Sequence, residues 1–137
     1  MLTEYLQGIF VSDIKTSLDK IIYKKYNIDI VINLSLDYPY VDLDIKKCRI
    51  PISNDLNYHT DIKLLNSNLH KILKFIKENY IDHNILICCH DGLTNSPIIV
   101  GLFIHKYGKI PLNQIKNILK CKNENINIEL DLSIFNN

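Results

Sequence analysis

Ile87-Cys88-Cys89-His90-Asp91-Gly92-Leu93-Thr94-Asn95-Ser96-Pro97 is the stretch on which the fold turns. An apolar strand pattern precedes it over 84–87, and an apolar helical pattern follows over 96–107. Pro97 suits the first turn of that helix, where a missing N–H costs nothing. A cysteine ending a strand, a short loop with one glycine, then a helix together form an anion cradle. The amides from His90 to Ser96 are expected to curl around the anion, and the helix N-terminus adds partial positive charge. The same field favours the thiolate of Cys89. Cys88 reads as a small buried hydrophobe.

Outward from this loop, strand and helix patterns alternate. Residues 8–11 form a short strand, and Ser12 or Asp13 can cap a helix with Ile14, Leu18, Ile21 and Ile22 inward. Residues 28–34 are nearly all apolar and β-branched, as in a strand covered on both faces. A polar loop over 35–46 leads to a strand over 48–52, then a turn-rich loop over 53–59. Thr60 or Asp61 caps a long helix whose stripe is Ile62, Leu65, Leu69, Ile72, Leu73, Ile76 and Tyr80. The last strand runs over 84–89. Pro111 opens a final helix with Leu112, Ile115, Ile118 and Leu119 inward, and the tail from 123 is irregular, with a short turn at 132–135. The expected fold is α/β, a central mostly parallel sheet flanked by helices, as one domain over 1–137.

The chain has 137 residues, 47% hydrophobic and 23% charged, with a formal net charge of +1. A balance so close to neutral offers no field for nucleic acid. No apolar run approaches the roughly 20 residues that span a bilayer, and no leader pattern is present, so a cytoplasmic protein without a membrane segment is expected. The 4 cysteines lack a disulfide-framework spacing. Ile, Asn, Lys and Tyr abound while Ala and Trp are absent, which reads as an AT-rich genome, and Arg49 is the sole arginine.

Several residues could carry chemistry. A thiolate at Cys89 that attacks phosphorus needs a proton donor on a separate loop, and Asp55 is the natural candidate; the competing reading of Asp55 is an Asx turn. Ser96 can donate its hydroxyl to the Cys89 sulfur or cap the helix. The Cys-Cys-His-Asp run invites a zinc reading, but adjacent ligands do not easily close a tetrahedral site, and no metal is expected.

Four matches in order resemble the cysteine-based protein phosphatases, specifically the compact dual-specificity subfamily. The family loop reads His-Cys-x-x-Gly-x-x-Arg-Ser after an apolar strand; here Ile85-Leu86-Ile87 precedes Cys88 to Ser96. Tyr5-Leu6-Gln7-Gly8 is similar to the opening strand, and 28–34 to the family's Val-Leu-Asn-Leu strand. Arg49-Ile50-Pro51-Ile52 followed by Asp55, then Thr60-Asp61-Ile62, is similar to the acid loop and the next helix, most of all in the small poxviral members. The resemblance implies a protein tyrosine phosphatase-like fold, Cys89 at the nucleophile position, Asp55 at the acid position and Ser96 at the hydroxyl that stabilises the leaving thiolate. It implies a phosphate-binding loop of His90, Asp91, Gly92, Leu93, Thr94 and Asn95. No cofactor is implied. The partner implied is a phosphorylated protein or peptide, a homodimer is one option, and the compartment is the cytosol, of a host cell if the source is viral.

Two positions depart from the pattern: the family histidine is Cys88, and the family arginine is Asn95. An arginine clamps two phosphoryl oxygens and stabilises transition-state charge. An arginine supplied to a transferring phosphoryl is worth on the order of 10³–10⁵ in rate, or roughly 4–7 kcal/mol of barrier. Arg49 reads as an exposed strand-end residue, and Lys106 stands about three turns along the exit helix, too far to substitute. The reading is therefore a catalytically impaired phosphatase-like binding or scaffolding module. Its alternatives are a weakly active phosphatase working through a Cys89 phosphocysteine, and a purely structural protein with a vestigial pocket.

Overall fold

The computed structural model describes residues 1–53 and 59–135. Five strands, β1 (Leu2–Leu6), β2 (Ile9–Ser12), β3 (Ile28–Leu34), β4 (Lys46–Arg49) and β5 (Asn84–Cys89), form one sheet in the order β1-β2-β5-β3-β4. β1 and β2 are an antiparallel hairpin, and every other pairing is parallel. The helices are α1 (Ile14–Ser17), α2 (Lys20–Lys25), α3 (His59–Asn79), α4 (Asn95–Gly108) and α5 (Leu112–Lys122), with a 3₁₀ turn at Leu132–Ile134. No described helix is long and apolar enough to cross a membrane.

Successive strand residues face opposite sides, so the sheet divides two cores. Val11, Ile32, Ile87 and Cys89 pack with α3, α4 and α5 on one side. Phe10, Val31, Leu86 and Cys88 pack with Tyr23 of α2 on the other. α4 lies deepest, and every residue from Asn95 to Phe103 is buried. Gly101 permits this depth, since a Cβ there would stand 2.6 Å from Ile115 Cγ2 of α5.

The helix expected from Ser12 or Asp13 is two helices. Asp13 accepts from Thr16 N–H at 2.8 Å, and Asp19 caps a second start by accepting from Ile21 N–H at 3.0 Å. The second cap shifts the helical phase. Leu18 and Ile21 therefore point outward, with Ile21 72% exposed, while Ser17 and Tyr23 are buried. β4 ends two residues upstream of Pro51, though Ile50 N–H still reaches Asn33 O at 2.9 Å; proline has no N–H to extend the ladder. α3 begins at His59, so Thr60 and Asp61 lie inside its first turn rather than at its cap.

Candidate active site

The end of β5, its loop and the first turn of α4 hold the chemistry-bearing residues together. Cys89 is wholly buried, and Ser96 N–H donates to its Sγ at 3.4 Å. Gly92 adopts φ +69°, the left-handed region that glycine enters without strain. A Cβ there would lie 2.7 Å from Ser12 C and 2.8 Å from Asp13 N, so the loop presses against the β2–α1 junction. Leu93 O accepts from Asn127 N–H at 2.8 Å, which ties the loop to the C-terminal tail.

The cradle is not open along its whole length. Asp91 turns its carboxylate back into the loop, accepting from Leu93 N–H at 2.9 Å and standing 3.8 Å from Cys89 Sγ. One amide expected to face an anion thus already serves the chain's own carboxylate. His90 is exposed; its Nδ1 is 2.8 Å from Tyr38 Oη, and the two rings stack at 5.6 Å. Thr94 is the N-cap of α4 and makes no side-chain capping bond.

Asn95 is fully buried. Its Nδ2 donates to Ser53 O at 2.9 Å, while its Oδ1 has no partner among the described residues. Ser53 in turn donates its N–H to Asp61 Oδ2 at 3.2 Å, and its hydroxyl to the same oxygen. The first turns of α3 and α4 are therefore joined through Ser53. Ser96 is not the helix cap. It lies inside the first turn, its hydroxyl is buried without a described partner, and its backbone N–H, rather than Oγ, meets the sulfur. Asp55 lies outside the described residues.

Cys88 projects to the other face of the sheet from Cys89, so the Cys-Cys-His-Asp run does not converge on one point. Burial pushes the Cys88 thiol up to about 12, against a smaller opposing effect of its hydrogen bond with Ser17. Arg49 is half-buried rather than exposed. It donates from Nη1 to Ser35 O at 3.2 Å and Ser35 Oγ at 3.0 Å, from Nη2 to Tyr38 O at 2.6 Å, and covers the Tyr40 ring. Lys106 meets His70 Nδ1 at 3.0 Å. Among the described residues, no lysine or arginine side chain bonds to residues 89–96.

Sequence reasoning did not single out Tyr38 or Ser53 and read Asp61 only as a cap of α3; the roles of all three rest on contacts between separate segments. Nor did it find Tyr5 as a site neighbour. The Tyr5 hydroxyl is buried without a described partner; burial, and then the Cys89 sulfur, push its phenol up to about 12.

No protein-family model matches the chain, and no curated protein matches it. Solved structures do. Human DUSP28 superposes with a TM-score of 0.83 at 12% identity, over 98% of this chain and 89% of that one. A mouse putative dual specificity phosphatase complexed with zinc tungstate gives 0.82 at 13% identity, over 96% and 81%. The human tyrosine phosphatase-like serine/threonine/tyrosine-interacting protein gives 0.81 at 12% identity, over 96% and 89%. The chain has the dual-specificity phosphatase fold.

Proposed function

We propose that the chain, as one domain over 1–137, is a catalytically impaired phosphatase-fold protein acting as a phosphoprotein-binding or scaffolding module in the cytosol. The observation that carries this reading is Asn95, buried and hydrogen-bonded to Ser53 where the related loop places a phosphoryl-clamping arginine. Arg49 and Lys106 are engaged elsewhere, Arg49 by Ser35 and Tyr38 and Lys106 by His70. Asp91 adds opposition, since a second negative charge about 4 Å from its carboxylate costs on the order of 4 kcal/mol at a near-surface dielectric. A phosphoryl group would thus be held weakly by the remaining amides. The exposed Tyr38–His90 pair at the rim would supply contacts to the rest of the partner.

A weakly active phosphatase is the second reading, supported by the Ser96 N–H on Cys89 Sγ at 3.4 Å. In it Cys89 is the nucleophile, Asp55 the acid and Ser96 the group that stabilises the leaving thiolate. One comparison separates the two. Wild type, Asn95→Arg and Cys89→Ser are assayed on a phosphopeptide panel, with thermal shift in tungstate alongside. The impaired module gives anion binding with no Cys89-dependent turnover. A Cys89-dependent rate in wild type, rising on the order of 10³-fold in Asn95→Arg, establishes the weak enzyme instead. Absence of any anion-induced shift overturns both and leaves a vestigial pocket.

A further inference from the structure

We propose that the open edge of the sheet, with the groove between β4 and α3, is a docking site for an extended acidic peptide segment of a partner protein. This goes beyond the reading of the loop and rests on different residues. Among the described residues β4 pairs with β3 alone and forms one of the two edges of the sheet. Ile50 N–H points to β3, so by strand alternation the peptide groups of Lys47 and Arg49 turn to the open side. Such an edge is a template for one more strand.

A groove of about 530 Å³ runs beside this edge. Its floor is apolar, formed by Ile32, Cys48, Ile50, Ile72 and Phe75. Its rim is cationic. Lys71 and Lys74 line it from α3, Arg49 lines it from the end of β4, and Lys46 stands 5.2 Å over the Phe75 ring. The one acid among the lining residues is Glu78, 3.9 Å from Lys74. In a chain of net charge +1, this concentration of cations is local and complements an acidic occupant. A strand added along β4 would turn alternate side chains into the groove, so apolar residues and carboxylates that share that face would meet the floor and the lysines of α3.

The test is fluorescence anisotropy on the full chain. The probe is a labelled peptide of roughly ten residues repeating Val-Thr-Glu-Thr, so that valine and glutamate share one face, long enough to span an edge strand. Controls are the same peptide with lysine for glutamate, and one N-methylated at alternate residues. The acidic peptide is expected to bind about tenfold or more tighter than the basic one, and about tenfold more weakly to Lys71→Glu/Lys74→Glu. N-methylation on one edge should abolish binding, and saturating tungstate should not displace the peptide. That last arm keeps the groove separate from the loop, so the failure of one reading does not imply failure of the other. Equal binding of acidic and basic peptides, indifference to charge reversal or to N-methylation, or displacement by tungstate overturns the proposal. So does sedimentation showing self-association that Lys47→Pro abolishes, because the edge then serves a second copy of this chain.

Discussion

Asn95 Nδ2 donates to the carbonyl oxygen of Ser53 at 2.9 Å, and the same serine donates to Asp61. The residue that ends the loop is thus a structural tie between the starts of α4 and α3. An amide suits that tie because it offers a donor without a buried charge. An anion clamp at this position needs a cation and a reach that asparagine lacks.

Asn95→Asp, nearly isosteric, removes the donor and places a carboxylate against a carbonyl oxygen in a fully buried site. A loss of about 2–4 kcal/mol at neutral pH is expected in urea unfolding. Burial raises the pKa of such a carboxyl above its unfolded value. The protonated form, which regains a donor, is therefore favoured in acid, and part of the loss should be recovered as pH falls. A loss under about 0.5 kcal/mol at neutral pH would show that the tie contributes little.

Removing the internal carboxylate should open the cradle. Asp91→Ala frees the Leu93 N–H and withdraws a negative charge 3.8 Å from the sulfur. Asp91→Asn withdraws the charge but keeps an acceptor for that amide. Tungstate affinity read by thermal shift should rise about tenfold or more in Asp91→Ala, and less in Asp91→Asn. Unchanged anion affinity in both would mean that Asp91 does not occupy the anion position.

The parts of this protein that read from sequence are those set by local pattern. β3 and β5 are apolar runs because both of their faces are covered, and Gly92 and Pro97 mark a loop and a helix start by their own backbone chemistry. What did not read rests on partners far away in the chain. Asn95 meets a residue 42 positions upstream, and His90 meets Tyr38 across 52. Arg49 looked like a strand-end cation because nothing in its neighbourhood announces the Ser35 and Tyr38 oxygens. The α1–α2 break hinged on Asp19, a second cap that apolar spacing alone does not weigh against continuation.

Gly101→Ala tests the close approach of α5 to α4. The new Cβ would meet Ile115 Cγ2 at 2.6 Å and Leu119 Cδ1 at 3.1 Å. Overpacking of about 1–3 kcal/mol outweighs the gain of up to about 1 kcal/mol from replacing a helical glycine. The urea midpoint should fall with an unchanged slope. Gly108→Ala is the control, since its Cβ would find its nearest neighbour at 3.6 Å; that variant should hold or gain stability.

Stability should fall in alkali through Cys88 and Tyr5. Unfolded, these groups release their protons near their ordinary values of 9.0 and 10.0; folded, burial holds both to about 12. The unfolded chain thus binds fewer protons between those values. The stabilisation is complete below pH 9 and is lost as pH rises toward 12, by up to about 1.4 kcal/mol per pH unit for each group. Thermal melts from about pH 8 to about pH 12 should show this decline, and Tyr5→Phe and Cys88→Ala should each flatten it. Tyr5→Phe should also raise stability near neutrality by about 1 kcal/mol, because it deletes a buried hydroxyl that no described residue pairs. Melts of both variants that parallel wild type across the alkaline range would place the lability elsewhere.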